Sequence, residues 1–309
     1  MSSQSARVFP LEQLDKGPGL YWYTIMLDLI DTTDTGEVRE VVTQRCLIDT
    51  GSYCLAIEGG FQRRGKDRVF LNYHDASSKL DLLRDIHLAE GTTGKYLFTT
   101  VVAQHSGPGG LNFQKECDGV LGLLPSADPS RHSALTNSHG SRFNNGVRRV
   151  TLDFTRNEMV LDGPRPPAYQ LAFKCPPGED KMRIVCDVMV HLEGGSVISY
   201  QDMEILLDTG TTYSISWLKR DHSLIKNCRD SRMVVGITLM PVGAGGGSAS
   251  REIKLFFAPG TKYPPCVPTD LRTFRPAVVL LGIQAIDTLR ALSYTLVDEG
   301  ASIGEIVLV

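Results

Sequence analysis

Leu47-Ile48-Asp49-Thr50-Gly51-Ser52 is an apolar run that ends on a carboxylate, a hydroxyl and a glycine, and it returns as Leu206-Leu207-Asp208-Thr209-Gly210-Thr211. An aspartate ahead of Thr-Gly at the end of an apolar strand is held in a tight, hydrogen-bonded loop. A chain that does this twice can bring two carboxylates face to face. Like charges that close cannot both ionise, so the pair shares a proton and supplies one acid and one base. Such a pair is suited to activating water.

A third Asp-Thr-Gly, at Asp34-Thr35-Gly36, lacks the apolar lead: Thr32 and Thr33 precede it. It lies between the apolar runs Tyr21 to Ile30 and Val38 to Ile48. A polar stretch ending in glycine between two such runs reads as a hairpin turn.

A second echo supports the first. Val120-Leu121-Gly122 follows Asp49, and Leu280-Leu281-Gly282 follows Asp208, at separations of 122 − 49 = 73 and 282 − 208 = 74. The near-equal offsets indicate a diverged tandem duplication, each half carrying an Asp-Thr-Gly loop and a later apolar-apolar-Gly strand.

On these residues the chain resembles the pepsin-like aspartic proteases, the bilobal single-chain family. Asp49 to Ser52 matches the first catalytic loop and Asp208 to Thr212 the second. Asp118-Gly119-Val120-Leu121-Gly122-Leu123 is similar to the family's Asp-Gly-Ile-Leu-Gly-Leu strand, and Leu280 to Gly282, Arg290, Val297-Asp298 and Ile303-Gly304 to its C-terminal run. The resemblance spans roughly Leu20 to Val309. It implies a mainly β, bilobal acid-protease fold with pseudo-twofold symmetry and a central active-site cleft. Residues 1–19 would form an N-terminal extension, 20–163 the N-terminal lobe with the first loop and the flap, and 168–309 the C-terminal lobe with the second loop. Pro164 to Pro167 marks the boundary.

The implied activity is endopeptidase hydrolysis of peptide or protein substrates, with no cofactor and no metal. Asp49 and Asp208 are the catalytic pair. Thr50 and Thr209 are expected to fix the loops to each other, and Gly51 and Gly210 to let backbone amides approach the carboxylates. Ser52 and Thr212, with Thr211 beside it, are expected to support the outer carboxylate oxygens. The family's flap hairpin matches Ile86 to Tyr96, with His87, Leu88, Gly91, Thr92, Thr93 and Gly94 as candidate substrate-facing residues. The family tyrosine at His87 or Leu88 is missing, and so is its tryptophan partner, whose position falls on Ala56. This double loss keeps open a second reading, a pepsin-fold module that binds a peptide without cutting it.

Composition agrees with an ordinary globular protein. At 309 residues and 42% apolar, the chain can bury two lobe-sized cores. A net charge of −3 points to neither nucleic acid nor an anionic membrane as partner. No apolar run reaches the ~18 residues a membrane span needs, and a monomer is expected. The N-terminus lacks the apolar core of a signal peptide. An odd cysteine count of seven and the lack of an Asn-X-Ser/Thr sequon suggest a reducing compartment or a trimmed chain. The resemblance places Cys228 and Cys266 where the family often closes a disulfide. Cys46 and Cys54 flank the first loop and could bridge if strand geometry allows, with buried free thiols the alternative.

Strands dominate the remaining pattern: Val150 to Gly163 as a hairpin, Met182 to Leu192, Met233 to Val242 and Ile253 to Phe257. Gly243 to Ser248 reads as a flexible hairpin linker rather than a dinucleotide loop, because a strand follows it. Helices are expected over Asp221 to Lys226 and Ile283 to Leu292, and a poorly ordered surface excursion over Ala127 to Gly146.

Overall fold

The computed structural model describes residues 6–15, 21–62, 65, 67–73, 76–105, 116–135, 147–167, 171–192, 194–211, 215–217, 234–242, 252–256, 266–268, 278–298 and 301–309. Asp221 to Lys226, Gly243 to Ser248, Thr212, Cys228 and the side chain of Cys266 lie outside the described residues.

The first strand, β1 (Arg7–Pro10), leads into β2 (Glu12–Asp15), β3 (Tyr21–Thr32), β4 (Val38–Asp49) and β5 (Leu55–Ile57). Then come β6 (Asp67–Tyr73), β7 (Ala76–Glu90), β8 (Tyr96–His105) and β9 (Gly119–Gly122). Strands β2 to β9 form one sheet, in the order β2-β3-β4-β9-β5-β8-β7-β6. Along β3, Ile25, Leu27 and Leu29 are fully buried while Met26, Asp28 and Ile30 are only partly so. This period-two alternation is what holds a strand to a one-sided core, and each such side chain contributes about 1.5–3 kcal/mol on burial.

Two short strands follow, β10 (Arg149–Asp153) and β11 (Glu158–Leu161), and after Pro164 to Pro167 comes β12 (Leu171–Lys174). The second half then repeats the first with β13 (Arg183–Leu192), β14 (Val197–Asp208), β15 (Ile215–Trp217), β16 (Val234–Met240), β17 (Ile253–Phe256), β18 (Cys266–Pro268) and β19 (Val278–Gly282). These seven form a second sheet, ordered β17-β16-β13-β14-β19-β15-β18. A one-turn helix, α1 (Ile283–Ile286), precedes β20 (Ala291–Val297) and β21 (Ser302–Leu308). A third sheet takes strands from both sides of Pro164, in the order β1-β11-β10-β20-β21-β12.

The duplication is visible as strand register. Strand β4 runs parallel to β9 with Asp49 opposite Gly122, and β14 runs parallel to β19 with Asp208 opposite Gly282. In each half the strand after the loop then pairs antiparallel with the same partner, Leu55 opposite Leu121 and Ile215 opposite Leu281. The 73- and 74-residue echoes are these pairings.

Three expectations need correction. Within the expected extension, Arg7 to Pro10 and Glu12 to Asp15 are paired strands: β1 and β2 belong to two different sheets, and Phe9 and Leu11 are buried in the core. The helix expected over Ile283 to Leu292 stops at Ile286. Its four residues are all buried, and Ala291 and Leu292 are claimed by β10, opposite Asp153 and Leu152. The supposed loose excursion after Ala127 is ordered as far as Leu135. Asp128 caps a short turn by accepting from the Ser130 amide, and Ser133, Ala134 and Leu135 are buried. Among the described residues, no helix is long and apolar enough to cross a membrane.

Candidate active site

Parallel pairing delivers both aspartates to the ends of central strands, where the chain must turn. At the first turn, the Gly51 amide donates to Asp49 Oδ1 (2.7 Å) and the Ser52 hydroxyl to Asp49 Oδ2. At the second, the Gly210 amide donates to Asp208 Oδ1 (2.8 Å) and the Thr211 hydroxyl to Asp208 Oδ2 (2.8 Å). The outer oxygen of the second carboxyl is therefore held by Thr211. The expectation had named Thr212 for this, although Thr211 stands three residues after Asp208, as Ser52 stands after Asp49. That shared offset was the signal in the sequence.

Four buried hydrogen bonds tie the loops together. The Thr50 amide donates to Thr209 Oγ1 and the Thr209 amide to Thr50 Oγ1, both at 3.0 Å. The Thr50 hydroxyl donates to the Leu207 carbonyl (2.9 Å) and the Thr209 hydroxyl to the Ile48 carbonyl (2.8 Å). Exchanging the halves maps this set onto itself, so the grip lies on the local twofold.

The grip leaves the carboxyls in contact. A Cβ built on Gly51 would lie 2.6 Å from Asp208 Oδ1, and one built on Gly210 would lie 2.5 Å from Asp49 Oδ1. No side chain fits at either position, so each glycine lets the opposite carboxyl sit against its backbone. Burial, and then the neighbouring Asp49 carboxyl, push the Asp208 carboxyl up to about 8 from an ordinary 3.8, against the pull of the Thr211 and Gly210 bonds. One protonated and one ionised carboxyl can then share the site. Among the described residues, no His, Cys, Asp and Glu side chains cluster so as to hold a metal.

Among solved structures, an aspartic proteinase from Irpex lacteus matches this chain with a TM-score of 0.60, covering 98% of this chain and 97% of that one at 14% sequence identity. The chain has the pepsin-like aspartic proteinase fold. No protein-family model matches the sequence, and no curated protein does.

Within the pepsin-like fold, the stretch matched to the flap is the hairpin of β7 and β8, with Leu88 opposite Phe98 and His87 opposite Thr99. Leu88 is buried in the core, and His87 points to the opposite face, where its Nδ1 pairs with Thr99 Oγ1 (2.8 Å). The Tyr96 hydroxyl pairs with the same oxygen (3.0 Å). Ala56, at the missing tryptophan's position, is buried in an apolar cluster with Cys54, Leu80, Leu82, Val101 and Ala103. Gly91, Thr92, Thr93 and Gly94 form the turn, with Gly94 at φ +65. Sequence reasoning missed its organiser, Glu90, which is buried and accepts from the Thr92 amide (2.8 Å), the Thr93 amide (2.7 Å) and the Thr93 hydroxyl (2.6 Å).

Two further readings meet the structure here. Asp34 lies exposed in the hairpin turn between β3 and β4, where the Gly36 amide donates to the Thr33 carbonyl (2.9 Å). Cys46 and Cys54 belong to separate apolar clusters and form no disulfide with each other.

Proposed function

We propose that the chain is an aspartic endopeptidase that hydrolyses peptide bonds in extended peptide or protein segments. The observation that carries this reading is the reciprocal packing of each carboxyl against the other loop's glycine, beneath the threonine grip. The ionised member of the pair takes a proton from a water held between Asp49 and Asp208, while the protonated member polarises the scissile carbonyl. Gly51, Ser52, Gly210 and Thr211 hold the carboxyls in place through the step. The substrate lies extended, in the manner of an added β-strand, and the β7–β8 hairpin closes over it. No metal or cofactor takes part, and the enzyme works as a monomer.

The test is digestion of a peptide library from pH 3 to 7, with and without pepstatin. Cleavage should follow a bell whose limbs belong to the pair rather than to either aspartate. Asp49→Asn and Asp208→Asn should each abolish it, since an amide can neither take the water's proton nor share one. Folded protein that cuts nothing at any pH would sink the proposal.

The apolar setting of Ala56 and the engagement of His87 with Thr99 favour a second reading, a peptide-binding module of the same fold. Pepstatin binding without cleavage of any library member would establish it.

A further inference from the structure

The threonine grip joins the two loops at a point on the local axis. Such a joint resists separation but opposes rocking only weakly, and elsewhere the third sheet joins the halves by pairing β10 with β20. A further connection lies one residue beyond Ser52. Arg131 Nη1 contacts both the Tyr53 hydroxyl and Asp180 Oδ2, and its guanidinium lies 4.7 Å from the centre of the Tyr53 ring. Tyr53 and Arg131 precede Pro164 and Asp180 follows it, so the contact crosses between the halves.

Both ends of this bridge are braced. On the first side, the Tyr53 carbonyl accepts from the Ala134 amide (2.7 Å), the Ser52 carbonyl from the Leu124 amide (2.9 Å), and the Asp49 carbonyl from the Leu123 amide (2.8 Å). On the second, Glu179 beside Asp180 accepts at its carbonyl from the Ile303 amide (2.6 Å), and its carboxylate holds Arg183. Two residues past Asp180, the Met182 carbonyl accepts from the Leu207 amide (2.8 Å), next to Asp208. An unbroken path thus runs from Asp49 through Ser52, Tyr53, Arg131, Asp180 and Met182 to Leu207. The Tyr53 hydroxyl, pushed up to about 12 by burial first and Asp180 next, keeps its proton throughout the working range.

We propose that Tyr53, Arg131 and Asp180 form an interlobe clasp that sets the width of the substrate cleft, with Arg131 as a positioning residue. This rests on the reading of the chain as an endopeptidase. The grip fixes the geometry of the dyad and so governs kcat, while the clasp stops the halves rocking and so governs how tightly an extended peptide is held. Arg131 meets both partners through one nitrogen, Nη1, while its Nε lies 3.5 Å from Asp128 Oδ2 on its own side.

The experiment compares the wild-type chain with Arg131→Met, Asp180→Asn and the swapped pair Arg131→Asp/Asp180→Arg. Each single variant should raise KM for a peptide of eight or more residues about fivefold, the scale of a partly exposed ion pair, with kcat nearly unchanged. The swap should recover most of the loss. In parallel, hydrogen exchange at the Ala134 and Arg183 amides should quicken in the single variants, while the Thr50 and Thr209 amides keep their wild-type rates. A fall in kcat at constant KM, a swap that restores nothing, or equal exchange at Ala134 and Arg183 in wild type and variants would each overturn the clasp. The exchange arm needs no substrate, so it decides the matter even if the wild-type chain proves unable to cut peptides.

Discussion

Gly210 stands against the Asp49 carboxyl as Gly51 stands against that of Asp208, and neither position has room for a methyl group. Each loop therefore uses its glycine to make space for the other loop's acid. The fit can be tested directly. Gly51→Ala and Gly210→Ala should each force the carboxyls apart, at a stability cost of about 1–3 kcal/mol for overpacking. Any peptidase activity should fall far more than stability does. Thermal melts beside the library digest measure both; an alanine variant with wild-type melting and turnover would contradict the geometry.

Thr50 and Thr209 are buried, and each uses its hydroxyl both to donate and to accept. Thr50→Val keeps the shape but strands the Leu207 carbonyl and the Thr209 amide. The expected loss is about 1–3 kcal/mol per stranded group, read from urea unfolding. Thr50→Ser, which keeps the hydroxyl, should lose much less.

Asp208 makes folding stability depend on pH. Its folded value of about 8 lies above its ordinary 3.8, so the folded chain holds a proton that the unfolded chain has released. The contribution of the shared proton is full below the ordinary carboxylate range and is lost as pH rises through the pair's raised value. Across that window the slope approaches about 1.4 kcal/mol per pH unit, the value for one proton. Urea unfolding from pH 4 to 8 should show stability falling, with a flatter dependence in Asp208→Asn. A wild-type curve that rises over this interval would contradict the buried pair.

Glu90 carries the opposite sign. Burial alone would raise its carboxyl, but the hydrogen bonds from Thr93 and Thr92 outweigh it and hold the group below its ordinary 4.5. The order it imposes on the hairpin turn is full above 4.5 and is lost as pH falls through the lowered value. Glu90→Gln removes one strong acceptor, worth about 1 kcal/mol. Exchange of the Thr92 and Thr93 amides at pH 7 should quicken several-fold, and wild-type rates in the variant would show that the carboxylate does not hold the turn.

The two Asp-Thr-Gly loops were legible in the sequence because their pattern is local: an apolar strand, an acid, a hydroxyl and a glycine in fixed order. The apolar run from Tyr21 to Ile30, now β3, was legible for the same reason. What escaped depended on distant partners. The run from Ile283 to Leu292 suits a helix on its own, but Ala291 and Leu292 are taken into a sheet by β10, far back in the chain. The opening residues looked like a tail, yet Arg7 to Pro10 pair with β11. Arg131 and Asp180 carry no local pattern at all; only the folded chain brings them together. Thr211 was different, since its offset was there to be counted.

The third sheet has a consequence for how the protein is made. Its centre is the pairing of β10 with β20, Arg149 opposite Thr295, so β10 waits with one edge open until β20, far along the chain, has been made. During that interval Val150 and Leu152 sit on an open strand, the sort of edge that recruits other chains. A fragment ending at Gly163 should therefore self-associate, and sedimentation with residues 164–309 added back should show it returned to a discrete particle. For this chain, arrival of β20 and protection of the β10 edge from aggregation are the same event.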